Sequence, residues 1–134
     1  MTEPERVEEA LVRLLAEPGV RRWAGGDVPA GPVEAAGWRL AVAHAPGEKA
    51  GTIAALKQAL ALPDHVALNL DALWDGLRDL PVPSVLVWHG WAELAAAEPR
   101  TFAVLARLLG ERAEEGGFAV LLPGEGPEVG VRPL

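Results

Sequence analysis

The chain has no cysteine, no tyrosine, a single serine (Ser84), three threonines and three histidines (His44, His65 and His89). The first absence excludes disulfides and thiolate chemistry. Hydroxyl nucleophiles are scarce and the histidines fall into no HxxxH or HExxH arrangement, which leaves mainly carboxylates for any acid–base chemistry. Long apolar runs are missing too: no stretch approaches the roughly 20 residues that a membrane-spanning helix needs. The opening Met-Thr-Glu-Pro-Glu-Arg lacks the basic start and apolar block of a secretory signal, so the expected location is cytoplasmic. Positive charge is also in short supply. Lys and Arg number 12 against 19 Asp and Glu, a formal net charge of −7. That argues against nucleic acid as a direct partner and against an anionic membrane surface, and it fits a basic protein partner. There is no internal repeat and no low-complexity tract.

What is present is enough for a folded core: 134 residues, half of them hydrophobic. Residues from Pro4 to about Glu17 read as an amphipathic helix with Val7, Leu11, Leu14 and Leu15 on one face. Pro18 to Ala36 is rich in Gly and Pro and reads as a loop anchored by Trp23. Residues 1–36 are therefore expected to form a helix-and-loop extension, which either covers apolar surface or serves as a docking arm, and 37–134 the main domain. Within that domain, Trp38–His44, Ser84–Trp88 and Phe118–Leu122 read as strands. Helices are expected over Thr52–Leu60, from Asn69 to about Asp79, over Trp91–Ala97, and from Pro99 to the stop at Gly116-Gly117. The almost continuous apolar run at Ser84–Trp88 suits a buried strand of a parallel sheet. The expected fold is thus α/β: a three-stranded parallel sheet with packed helices, plus the N-terminal extension. Val129 and Val131 alternate weakly enough for a short edge strand at most.

The stretch Leu62-Pro63-Asp64-His65-Val66-Ala67-Leu68-Asn69-Leu70-Asp71-Ala72-Leu73-Trp74-Asp75-Gly76-Leu77 is the most informative. Asn69 is placed to cap a helix. Leu70, Leu73, Trp74 and Leu77 fall at i, i+3, i+4 and i+7, an apolar stripe that assigns Trp74 to the core. Asp71 and Asp75 are i,i+4 neighbours on another side, and Asp79 extends the row. Like charges at that spacing destabilise a helix by about 0.2–0.5 kcal/mol per pair. The helix dipole accounts for Asp71 in the first turn but not for Asp75 or Asp79.

Two further constellations carry weaker signals. His44 and His89 close two strands at the end where parallel sheets often bind ligands, and with a carboxylate they would make a metal site; a structural role fits two unspaced histidines better. Gly47-Glu48-Lys49-Ala50-Gly51-Thr52 opens a helix after a strand but lacks the Gly-Lys-Ser/Thr ending of a phosphate loop.

The pattern Leu-Pro-acid-x-x-x-x-Asn-Leu-Asp-Ala-Leu-Trp-Asp over Leu62–Asp75 resembles the barstar family, intracellular inhibitors of barnase-type ribonucleases, and the order of elements agrees from about Trp38 to Leu122. The resemblance does not extend to residues 1–36. The resemblance implies a partner-binding surface made by His65, Asn69, Asp71, Trp74, Asp75 and Glu111, with no cofactor, no metal and no catalysis by the chain itself. It implies that Asp71 and Asp75 enter the cationic cleft of the ribonuclease in place of substrate phosphates. Carboxylates suit that task because arginine binds them through paired charge-assisted hydrogen bonds. Glu111 takes the family's distal acidic contact once Glu115-Gly116 is aligned with the Glu-Gly before the last strand. The departure is His65-Val66-Ala67-Leu68, where the family commonly has two tyrosines followed by Gly-Glu. Two other readings remain: an interaction module of the same fold aimed at another toxin or a regulatory partner, and a small carboxylate–histidine enzyme.

Overall fold

A computed structural model describes residues 3–134, as six helices and four strands: α1 (Glu3–Ala16), β1 (Val20–Trp23), α2 (Ala30–Ala35), β2 (Arg39–His44), α3 (Lys49–Ala59), α4 (Leu70–Arg78), β3 (Ser84–His89), α5 (Trp91–Ala97), α6 (Pro99–Glu114) and β4 (Phe118–Pro123). The strands form one parallel sheet in the order β1-β4-β3-β2. Parallel neighbours cannot be joined by hairpins. Two helices accordingly fill each of the crossovers from β2 to β3 and from β3 to β4.

The inner strands β3 and β4 are buried on both faces, which explains their unbroken apolar runs, whereas the edge strand β2 leaves Val42 and His44 exposed on one face. Side chains alternate across it. Leu86, Trp88, Phe118, Val120 and Leu122 face the larger core with Leu56, Leu73, Leu77, Leu94, Phe102 and Leu105 from α3 to α6. Val85, Ala119 and Leu121 face a smaller core closed by Leu11 and Leu14 of α1, Val33 of α2 and Trp23. No helix among the described residues is long and apolar enough to cross a membrane.

The α/β class and the parallel sheet agree with the sequence, but the sheet has four strands where three were expected. The fourth, β1, lies in the segment read as a loop. It pairs with β4 from Val20↔Val120 to Trp23↔Pro123. Its outer edge is met by an isolated bridge from Arg22 to Pro133, with Arg22 N–H donating to the Arg132 carbonyl and Leu134 N–H to the Arg22 carbonyl, both at 2.9 Å. Val129 and Val131 form no strand; they pack half-buried against the larger core.

Where β3 turns into α5, Gly90 has φ +92°. A Cβ there would run into the carbonyl oxygen of Ala45, so this tight junction between the ends of β2 and β3 needs glycine.

Candidate functional site

Helix α4 is fixed at both ends. At its start, the Asn69 side-chain oxygen accepts the Ala72 N–H at 2.8 Å, satisfying one of the four donors that a helix N-terminus leaves unpaired. At its end, Arg112 of α6 donates from Nε to the Leu77 carbonyl and from Nη1 to the Gly116 carbonyl, both at 2.7 Å. Leu73 and Leu77 are completely buried beneath it. The apolar stripe and the two anchors leave α4 little freedom to turn, and its opposite side is presented to solvent.

On that side Asp71, Asp75 and Asp79 are exposed. Asp71 lies in the first turn, where the helix dipole favours it. None of the three makes an ion pair or a side-chain hydrogen bond among the described residues; the ion pairs found there are Arg78–Glu115 and Arg107–Glu111.

Trp74 is half-buried rather than a core residue as the stripe suggested. It sits at the edge of the stripe, with the Arg78 guanidinium 5.9 Å from its ring centre and Arg78 in turn 3.6 Å from Glu115. A cation over an indole face within about 6 Å is attractive, so Trp74 is a partly covered aromatic beside the acidic row.

A groove of about 540 Å³ runs along α4, between Ala72, Asp75, Gly76 and Asp79 on one side and the 61–67 segment with Leu80 and Pro81 on the other. His65 lines it together with Asp75 and Asp79. The 61–67 segment is held by Val66 N–H donating to the Pro63 carbonyl at 3.0 Å and by Lys57 Nζ donating to the Asp64 carbonyl at 2.9 Å.

Glu111 stands apart from this groove. It is exposed, is bonded to Arg107 at 3.2 Å, and lines a separate depression with Arg21 and Arg132. The carboxylate that reaches α4 is Glu115, the residue that caps the C-terminus of α6 one turn later. The i,i+4 spacing of Glu111 and Glu115 was visible in sequence, but which of them meets α4 depends on how α6 packs. Arg112 is buried; its position three residues after Leu109, on the face of α6 that also buries Phe102 and Leu105, is the signal that sequence offers for it.

His44 and His89, paired in register across β2 and β3, stack with ring centres 4.7 Å apart and planes 6° from parallel. Burial, and then the neighbouring His44, lower the pKa of His89, and Asp27 partly opposes this. Among the described residues no three His, Cys, Asp or Glu side chains are grouped to hold a metal ion. At the start of α3, Glu48 turns its own carboxylate back onto the Gly51 N–H at 3.1 Å, so a side-chain carboxylate already occupies the place that a phosphate would need.

Residues 40–122 match the model of the family described as Barstar (barnase inhibitor). No curated protein matches the chain.

Proposed function

This chain belongs to the barstar family, and from that membership we propose that it inhibits a barnase-type ribonuclease by direct, reversible, non-catalytic occlusion of the active site, with α4 as the inserted element. The observation that carries this reading is an acidic row without partners among the described residues, on a helix whose other side is clamped to the core. Asp71 and Asp75 pair with the Arg, Lys or His side chains that would hold substrate phosphates. Asn69 fixes the helix start, Trp74 and His65 flank the contact, and Glu111 meets the partner at a second point along α6. The fixed helix matters because no ordering cost is added when the carboxylates engage. Opposite charge accelerates encounter and makes it salt-sensitive. The partner is accordingly a basic protein, met in the cytoplasm.

The test is a titration of this protein into a barnase-type ribonuclease assay at low and at moderate salt, with the Asp71→Ala/Asp75→Ala double variant alongside. Stoichiometric inhibition that is lost in the double variant and slows in onset with salt is the expected result. Absence of inhibition at micromolar protein would overturn the reading. In that case the departure at His65-Val66-Ala67-Leu68, of which His65, Val66 and Ala67 line the α4 groove, favours a different basic partner for the same surface, to be sought by pull-down from host lysate.

A further inference from the structure

Asp79 is the one carboxylate of the acidic row that its position in the helix disfavours. It caps the C-terminus of α4, its backbone N–H donating to the Gly76 carbonyl at 3.2 Å. At that end the helix dipole is negative, so a carboxylate is repelled where a cation would be favoured. One turn earlier stands Asp75, a like charge at i,i+4. No cation among the described residues compensates either of them: Arg78 is turned toward Trp74 and Glu115, and Lys57 is held at the Asp64 carbonyl. The fold gains nothing from the charge of Asp79.

Asp75 and Asp79 line the groove beside α4 together with His65, and its remaining walls are largely apolar, from Leu62, Pro63, Val66 and Leu80. Gly76 keeps the floor clear: a Cβ there would lie 3.0 Å from the Leu62 Cδ1. A trough that is apolar along its length and doubly acidic at one rim matches an aliphatic stem ending in a delocalised cation. Arginine meets both demands, since its guanidinium is weakly hydrated and its planar fork of donors can serve two carboxylates at once. The lysine ammonium is a strongly hydrated point charge and loses more on entering such a trough.

We propose that the groove seats one arginine side chain of the basic partner, its guanidinium shared by Asp75 and Asp79, and that Asp79 sets a preference for arginine over lysine at this point. The inference rests on the reading that the partner is a basic protein, and not on that partner being a ribonuclease. Asp75 then works on two sides of α4, with Asp71 on the exposed ridge and with Asp79 in the groove.

The experiment is an amide-resolved NMR titration of the full chain with a capped Gly-Arg-Gly peptide and with its lysine and citrulline counterparts, repeated on Asp79→Asn and on Glu34→Gln. The last variant removes one exposed charge from α2, as a control for net charge. The arginine peptide is expected to shift amides of residues 61–67 and 72–80. The uncharged citrulline peptide should bind about tenfold more weakly, as should the arginine peptide to Asp79→Asn, and lysine should fall between. Glu34→Gln should bind like the parent, and Asp79→Asn should melt no lower than the parent. Equal binding of arginine and citrulline, shifts confined to other surfaces, or an Asp79→Asn variant that binds the arginine peptide as the parent does would each overturn the proposal. A parent that docks the peptide in the groove yet inhibits no ribonuclease supports this inference while sinking the inhibitor reading. Full inhibition without peptide shifts does the reverse.

Discussion

Replacing Arg112 with methionine should loosen the acidic helix without touching a single carboxylate. Arg112 is only 8% exposed, and no carboxylate among the described residues pairs with it. Its charge is stabilised by two carbonyls at 2.7 Å and by the ring of Phe118, 5.7 Å away. A hydrogen bond from a charged donor is worth about 1.5–3 kcal/mol, which gives about 3–6 kcal/mol for the pair. Two effects pull the figure down. The Leu77 carbonyl also receives the Leu80 N–H at 3.4 Å, and removing a buried charge in favour of an apolar chain returns part of its desolvation cost. A net loss of about 2–3 kcal/mol is expected. Unfolding entropy of about 2.1 cal/mol/K per residue converts that into a melting point lower by about 7–10 °C for a chain of this length. Arg112→Lys, which keeps the charge but not the fork, should fall between parent and methionine. Thermal unfolding by circular dichroism reads all three. If Arg112→Met melted within about 2 °C of the parent, the two short hydrogen bonds would carry no stability and the account of how α4 is anchored would be wrong.

Asn69→Ala should cost about 1 kcal/mol through the lost cap, and Asn69→Asp, which restores an acceptor, should recover most of it; chemical denaturation measures both. Acidification provides a separate check. The folded pKa of His89 lies below its ordinary 6.5, so the unfolded chain binds more protons there and stability rises with pH. The contribution is whole above about 6.5 and is lost as pH falls from there through the lowered folded value. Urea midpoints should decline less across that window in His89→Gln than in the parent, and parallel declines would refute the assignment.

Much of the site was legible because it is local. The Asn69 cap, the stripe of Leu73 and Leu77 and the row of aspartates all lie within about three turns, where spacing alone decides which side each residue takes. The parts that were missed depend on remote partners. Val20-Arg21-Arg22-Trp23 has no alternation and is flanked by Pro18-Gly19 and Gly25-Gly26; it becomes a strand because β4 offers it an edge. Helix α2 carries Gly31 and Pro32 within its six residues, a composition that reads as loop. Trp74 and Arg112 owe their places to packing that spacing alone does not reveal. Each stands at the margin of an apolar stripe, and only the packing of α4 on α6 decides that the indole stays half-buried while the guanidinium goes under.

The pairing of β1 with β4 also orders events in time. The two strands are about a hundred residues apart in the chain, and ribosomes add roughly 5–20 residues per second, so β1 emerges about 5–20 s before the strand that receives it exists. During that wait Trp23 and the apolar face of α1 lack Ala119 and Leu121 of β4 to pack against, and the backbone groups of β1 are open to other chains. Arg21 and Arg22 occupy the middle of the strand, and charge on an open edge discourages pairing with a stranger. The same two residues that hide the strand from a reader of the sequence keep it soluble until its partner is made.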